Sequence, residues 1–203
     1  LCVEETADRR YDDAWLYKCS VDSESLHVEI EQVGVLRPQR MIVRGRAFVD
    51  DAGAVVVASN VEAGASPWIE QALSEHASIA SFARLTLELM ALGAPLDLVA
   101  RVQEAALDEV RHTEQCLALA RRDGSGVTAL GPLPALPPRS GDRAALAQRT
   151  WDEAVVEESR AIVHMRSTLD TLDPEARAVI AAQIGDEERH VQLARDIVDW
   201  ARG

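Results

Sequence analysis

The chain has 203 residues, 47% of them hydrophobic, and its 34 Asp and Glu outnumber 21 Lys and Arg for a formal charge of −13. That is enough apolar material for a core and excludes a disordered chain; the acidic balance argues against nucleic acid or an anionic membrane as a main partner. No apolar run approaches the roughly 20 residues of a membrane-spanning helix.

Three cysteines, Cys2, Cys19 and Cys116, make no CxxC pair, so a four-cysteine metal knuckle is excluded. Cys2 and Cys19 are candidates for a disulfide, and two free thiols fit as well. The chain begins at Leu1, not Met, so an upstream segment is expected, a signal peptide among the candidates. The compartment stays open between cytoplasm and export.

Residues 1–65 read as an N-terminal extension with β character. Ser25–Val33, Met41–Val49 and Ala54–Ser59 are short and rich in Val and Ile, and the last two flank an Asp50-Asp51-Ala52-Gly53 turn suited to a hairpin. A unit this small is marginal alone, so it is expected to pack on the remainder or to serve a homodimer or another protein partner. Residues 1–24 carry no assignable pattern.

From Ser66 the periodicity becomes helical, and residues 66–203 read as one helical domain. Ser66-Pro67 is an N-cap followed by proline at the first helical position, and Gly93 closes the first helix near Met90–Leu92. Pro95 opens the second, which ends at Arg121-Arg122 with Gly124 beyond. Residues 123–141, with Pro132, Pro134, Pro137 and Pro138, form a crossover that when extended reaches roughly 55 Å. The third helix runs from Asp142 to Leu172, and Asp173-Pro174 starts the fourth. Two short turns and one long crossover give a mainly α, four-helix bundle.

Two near-copies of a D-E-x-R-H segment, Asp108–His112 and Asp186–His190, dominate this domain. Glu and His three apart share one helix face. Along the expected core seams the second helix reads Leu98, Val102, Ala105, Glu109, His112, Cys116, Leu119. The fourth reads Ala176, Ile180, Gln183, Glu187, His190, Ala194, Ile197. Glu75 interrupts the first seam (Trp68, Ala72, Ile79, Phe82, Leu89). Glu158 interrupts the third (Trp151, Val155, Ile162, Met165). Its neighbour Glu157 shares a stripe with Thr150, His164 and Thr168, which reads as solvated. Trp68 and Trp151 are expected in the core, and Gly185 marks a point of close packing.

Four carboxylates converging on one core are prohibitive if ionised and unpartnered. With two neutral imidazoles they balance two divalent cations. One Glu from each of two helices plus Glu-x-x-His from each of the others is the di-iron or di-manganese carboxylate pattern. On Glu75, Glu109-x-x-His112, Glu158 and Glu187-x-x-His190, the helical two-thirds of the chain resembles the ferritin-like superfamily of ferritins, rubrerythrins and di-iron oxygenases. The text Glu75-His76-Ala77-Ser78-Ile79-Ala80-Ser81-Phe82-Ala83-Arg84 is similar to uncharacterised bacterial ferritin-like proteins. The resemblance implies a ferritin-like bundle, those six residues as ligands, and two iron ions as cofactors, with manganese or a mixed Mn/Fe pair as alternatives. It further implies that Asp108 and Asp186 each accept from the histidine of the opposite motif, with Arg111 and Arg189 holding them. The chain departs from rubrerythrins in lacking their four-cysteine iron domain, and no tyrosine lies in its helical region.

Three functions follow as expectations. The first is an oxidoreductase activating O2 or peroxide on an unknown small-molecule substrate. The second is a ferroxidase whose substrate is Fe(II). The third is a non-catalytic binding module in which metals stabilise the bundle. Cys116, on the seam beyond His112, reads as a small buried hydrophobe.

Overall fold

The computed structural model describes residues 14–21, 26–33, 46–50, 55–58, 66–127 and 129–203, the first two stretches as backbone. The chain divides into two compact units, Leu1–Arg40 and Met41–Gly203. In the first, β1 (Ala14–Val21) pairs antiparallel with β2 (Leu26–Val33), Ala14 opposite Val33 and Val21 opposite Leu26. β1 falls within residues 1–24, where the sequence offers no assignment. The Cys2–Cys19 pairing lies outside the described residues and side chains.

The second unit is mainly helical. The change in composition puts a boundary at residue 65, but residues 46–50 and 55–58 belong with the helices. The hairpin expected there is represented by one antiparallel bridge, Val49 with Val55, and by Val56 N–H donating to the Phe48 carbonyl at 2.7 Å. Its turn lies outside the described residues.

The helices begin and end where capping chemistry dictates. Helix α1 (Pro67–Ala91) starts on Ser66, whose hydroxyl accepts the Trp68 N–H, satisfying one of the donors a helix start leaves open. Gly93 takes a positive φ of 70° just past its end, a conformation glycine adopts without steric cost. Helix α2 (Leu96–Arg122) runs back beside α1 and ends before Gly124, φ 80°. The 129–141 stretch of the crossover contains no regular element, and Arg139 ties its far end to Glu88 on α1 and to Glu153.

The third helical segment differs from the continuous α-helix its periodicity predicts. Helix α3 (Arg143–Thr150), capped by Asp142, passes into a π-helical stretch, Trp151–Val156, then into α4 (Glu157–Thr168) and a 3-10 turn at Leu169–Thr171. A π-helix repeats i→i+5, so residues upstream are out of phase by about one position with those downstream. Two expectations fail for that reason. Trp151, placed on the core seam, is 40% exposed under the Arg202 guanidinium, whereas Thr150, placed on the solvated stripe, is fully buried. Helix α5 (Pro174–Arg202), capped by Asp173, packs against α2, α3, α4 and the π stretch. No described helix is long and apolar enough to cross a membrane.

Two large apolar clusters, beside two small ones, fill the helical unit. One gathers Trp68, Ala72, Cys116, Met165 and Ile180; the other gathers Phe82, Leu89, Val102, Leu146 and Ile197. On α1, α2, α4 and α5 the acids Glu75, Glu109, Glu158 and Glu187 fall between these two, so a polar layer is sandwiched between apolar ones.

Candidate metal centre

The layer draws Glu75 from α1, Glu109 and His112 from α2, Glu158 from α4, and Glu187 and His190 from α5, none more than 3% exposed. Glu75, Glu109, His112 and Glu187 each present a donor atom within 4.8 Å of the others, a buried group able to hold a metal ion. Glu158 and His190 stand outside that quartet, but His190 shares both of its central carboxylates.

Those two carboxylates reach both imidazoles. Glu109 has Oε2 3.6 Å from His112 Nδ1 and Oε1 3.2 Å from His190 Nδ1. Glu187 has Oε1 3.5 Å from His112 Nδ1 and Oε2 3.4 Å from His190 Nδ1. Both Nδ1 atoms, both Glu109 oxygens, both Glu158 oxygens, Glu75 Oε2 and Glu187 Oε2 are buried with no hydrogen-bond partner. Native interiors tolerate few such atoms, and here they converge. Two donors about 2.1 Å from one first-row ion, at a right angle, lie about 3 Å apart. The donor set and its spacing therefore fit metal ions.

The outer ring nitrogens are held crosswise. His112 Nε2 lies 3.0 Å from Asp186 Oδ2 and His190 Nε2 lies 3.1 Å from Asp108 Oδ2. Arg111 contacts Asp108 at 2.6 Å and Asp186 at 3.3 Å; Arg189 pairs with Asp186 and lies 3.5 Å from Asp108. Each motif thus braces the histidine of the other, which fixes each ring with Nδ1 facing the carboxylates.

Electrostatics mark the centre as unsettled without cations. Burial, then Glu109 and Glu187, push Glu75 well above the ordinary carboxyl range. Burial and the Glu187 charge lift Glu158 to about 8. Burial also acts to raise Glu109, but the two imidazoles beside it outweigh that and bring it to about 2. Desolvation works against the charged form of His190, yet Asp108, Glu109 and Glu187 raise it strongly; His112 is raised for like reasons. Burial opposes ionised Asp108 and Asp186 too, and their histidine and arginine contacts nonetheless keep both low. Such opposed shifts in one cluster are typical of functional sites.

The surroundings add residues the seam could not supply. Gln71, fully buried, donates its amide to Glu75 Oε1. Gln183 donates to Gln115 Oε1 at 3.0 Å and approaches the Cys116 thiol, which burial and then Glu75 keep protonated. Arg46, from the extended segment before α1, is 2% exposed and feels Glu158 as its foremost neighbouring charge. Gly185 does not mark close packing: an added Cβ would meet nothing within 4 Å. A cavity of about 480 Å³ is lined by His76, Thr113, Leu117 and Leu130 among others, and by none of the six ligand candidates.

Compared with known proteins, the chain matches no family model, no curated protein and no solved structure. The site therefore has to be read from its own chemistry.

Proposed function

We propose that this protein is a dinuclear metal carboxylate protein of the ferritin-like kind, holding two iron ions, with manganese or a mixed pair as the alternative, and activating O2 or peroxide. The observation that carries this reading is the pair Glu109 and Glu187, each presenting one oxygen to each imidazole Nδ1. Carboxylates shared between two imidazoles fit two ions better than one. Glu75 and His112 would complete one position and Glu158 and His190 the other, and the charges then cancel. The helix order and the single long crossover support the same kinship.

The bound pair would supply redox chemistry toward oxygen. The chain's own residues supply the rest. Asp108 and Asp186 keep the imidazoles oriented, Arg111 and Arg189 keep those aspartates ionised, and the two apolar clusters exclude bulk water from the layer.

Metal analysis of the native protein, beside Glu109→Ala and Glu187→Ala variants, tests this. About two ions per chain, lost in both variants, is the expected result; protein never exposed to chelator and carrying none would refute it.

One observation favours a second reading. Side chains at most 3% exposed seal the layer, so reactants as small as O2 and Fe(II) itself suit it best, as a ferroxidase requires. Many Fe(II) oxidised per centre without an organic substrate would select that reading.

A further inference from the structure

We propose that the two metal positions are unequal, and that Arg46 makes the position at Glu158 and His190 the weaker of the two. This rests on the dinuclear reading above and concerns a residue that lies on none of the helices.

Arg46 is fixed over one end of the layer. Its Nε donates to Ser81 Oγ at 3.2 Å, and its own carbonyl accepts from Ser78 Oγ at 2.9 Å. Its guanidinium carbon lies 5.7 Å from the centroid of the Phe82 ring, and that ring meets the His190 imidazole edge-on at 5.3 Å between centroids. The Phe82 ring is thus in contact with both the guanidinium and the His190 imidazole, and Glu158, ahead of Glu153 and Glu88, is the opposite charge that acts most on Arg46.

The other end of the layer is lined differently. Around Glu75 stand the Gln71 amide, the Gln183 amide and the protonated Cys116 thiol, all uncharged. The charges of the two motifs cannot tell the ends apart. Asp108 and Asp186 brace one histidine each, and each touches both Arg111 and Arg189. Arg46 breaks that near-symmetry, with Glu153, Glu88 and Arg139 as the further charges around it.

A guanidinium stays protonated at any working pH, and a buried charge is poorly screened by salt. Arg46 therefore offsets the Glu158 charge from a distance, without a hydrogen bond to either oxygen, and repels an ion that arrives there. The Glu75–His112 position should fill first and hold its ion; the Glu158–His190 position should load second and release readily. That is the asymmetry needed by a centre that passes Fe(II) through one position, or that pairs two different metals.

The test is a calorimetric titration of metal-free protein with Mn(II). Two binding steps separated by about tenfold or more are expected. Arg46→Gln should tighten the weaker step by about tenfold while leaving the stronger one nearly unchanged, and Arg46→Lys should preserve the separation. A merely structural Arg46 would instead weaken both steps together in Arg46→Gln, and that result overturns the proposal. So does a single class of two equal ions in the native protein. Should Arg46→Gln fail to fold, Glu158→Gln must abolish the weaker step and Glu75→Gln the stronger; the reverse assignment overturns the proposal. Fewer than two ions bound by the native protein would instead refute the dinuclear reading on which it rests.

Discussion

Replacing Glu75 with glutamine should make the metal-free protein more stable and the metal-loaded protein less so. Glu75 is 2% exposed, one oxygen takes the Gln71 amide and the other has no partner. Burial and two neighbouring carboxylates hold it far above its ordinary range, so folding without metal costs either a buried proton or a buried repulsion. Glutamine has the same shape, keeps an acceptor for Gln71 and never ionises. Removing that penalty is worth about 1–2 kcal/mol, which for a chain of this size raises the melting temperature by roughly 2–8 °C. Metal at about a hundredfold over its dissociation constant stabilises the native protein by about 2.7 kcal/mol, and the variant should forgo much of that. Melting curves recorded in chelator and in Mn(II) should therefore cross: the variant higher in chelator, the native chain higher in metal. A variant that melts lower in chelator and gains as much from metal as the native chain would refute the assignment of Glu75 as a ligand.

Asp186→Asn should lower metal affinity about 10- to 100-fold without unfolding the chain, because it loosens His112; an unchanged affinity in competition with a chelating dye would show that Asp186 does not orient that ring. Glu88→Ala removes the buried carboxylate that receives the Arg139 N–H and faces Arg84 and Arg149. It should cost about 3–5 kcal/mol in a urea melt, since guanidiniums are left short of a partner. Gly185→Ala, in an open helical position, should gain about 0.4–1 kcal/mol in the same assay. Metal-free protein should lose stability as pH rises from about 6 to 8. Glu158 titrates near 8 in the fold, above the carboxyl's ordinary value of about 4.5, and His190 is likewise raised, so over that interval the folded chain holds a Glu158 proton that the unfolded chain has already lost and a His190 proton that the unfolded chain is losing. The slope is about 1.4 kcal/mol per pH unit for each proton, and a melting temperature in chelator that climbs from pH 6 to 8 would contradict it.

The seam of α2 and α5 was legible because a carboxylate in an apolar stripe stands out only when the period is regular, and those helices are regular from cap to cap. Glu109, His112, Glu187 and His190 could be phased from their neighbours alone. On the third segment the periodicity points Glu158 inward, where it lies, but it also points Trp151 inward and Thr150 outward, since a π-helical stretch gives no periodic signal of its own and shifts everything before it. Arg46 was illegible for another reason. It lies 35 residues from Ser81, in a short extended segment where no period exists, and its anchors Ser78 and Ser81 look like surface hydroxyls in a helix. Nothing local distinguishes an arginine that will be buried from one that will be solvated. Strand β1 escaped notice because Trp15, Tyr17 and Lys18 neither alternate nor sit between strong turn signals.

The duplicated motif explains why the centre needs both halves of the helical unit. Each D-E-x-R-H segment supplies a ligand glutamate and histidine candidate, but its aspartate serves the histidine of the other segment, across the α2–α5 contact. One half alone would leave its imidazole free to rotate and its aspartate without a ring to hold. Cross-bracing of this kind makes the two halves interdependent and nearly equivalent. Equivalence suits a symmetric pair of ions, whereas the proposed passage of Fe(II) through one position calls for positions of different strength. On the inference drawn above, the extended segment before α1 would supply that difference, since Arg46 is buried beside Phe82 and belongs to neither copy of the motif.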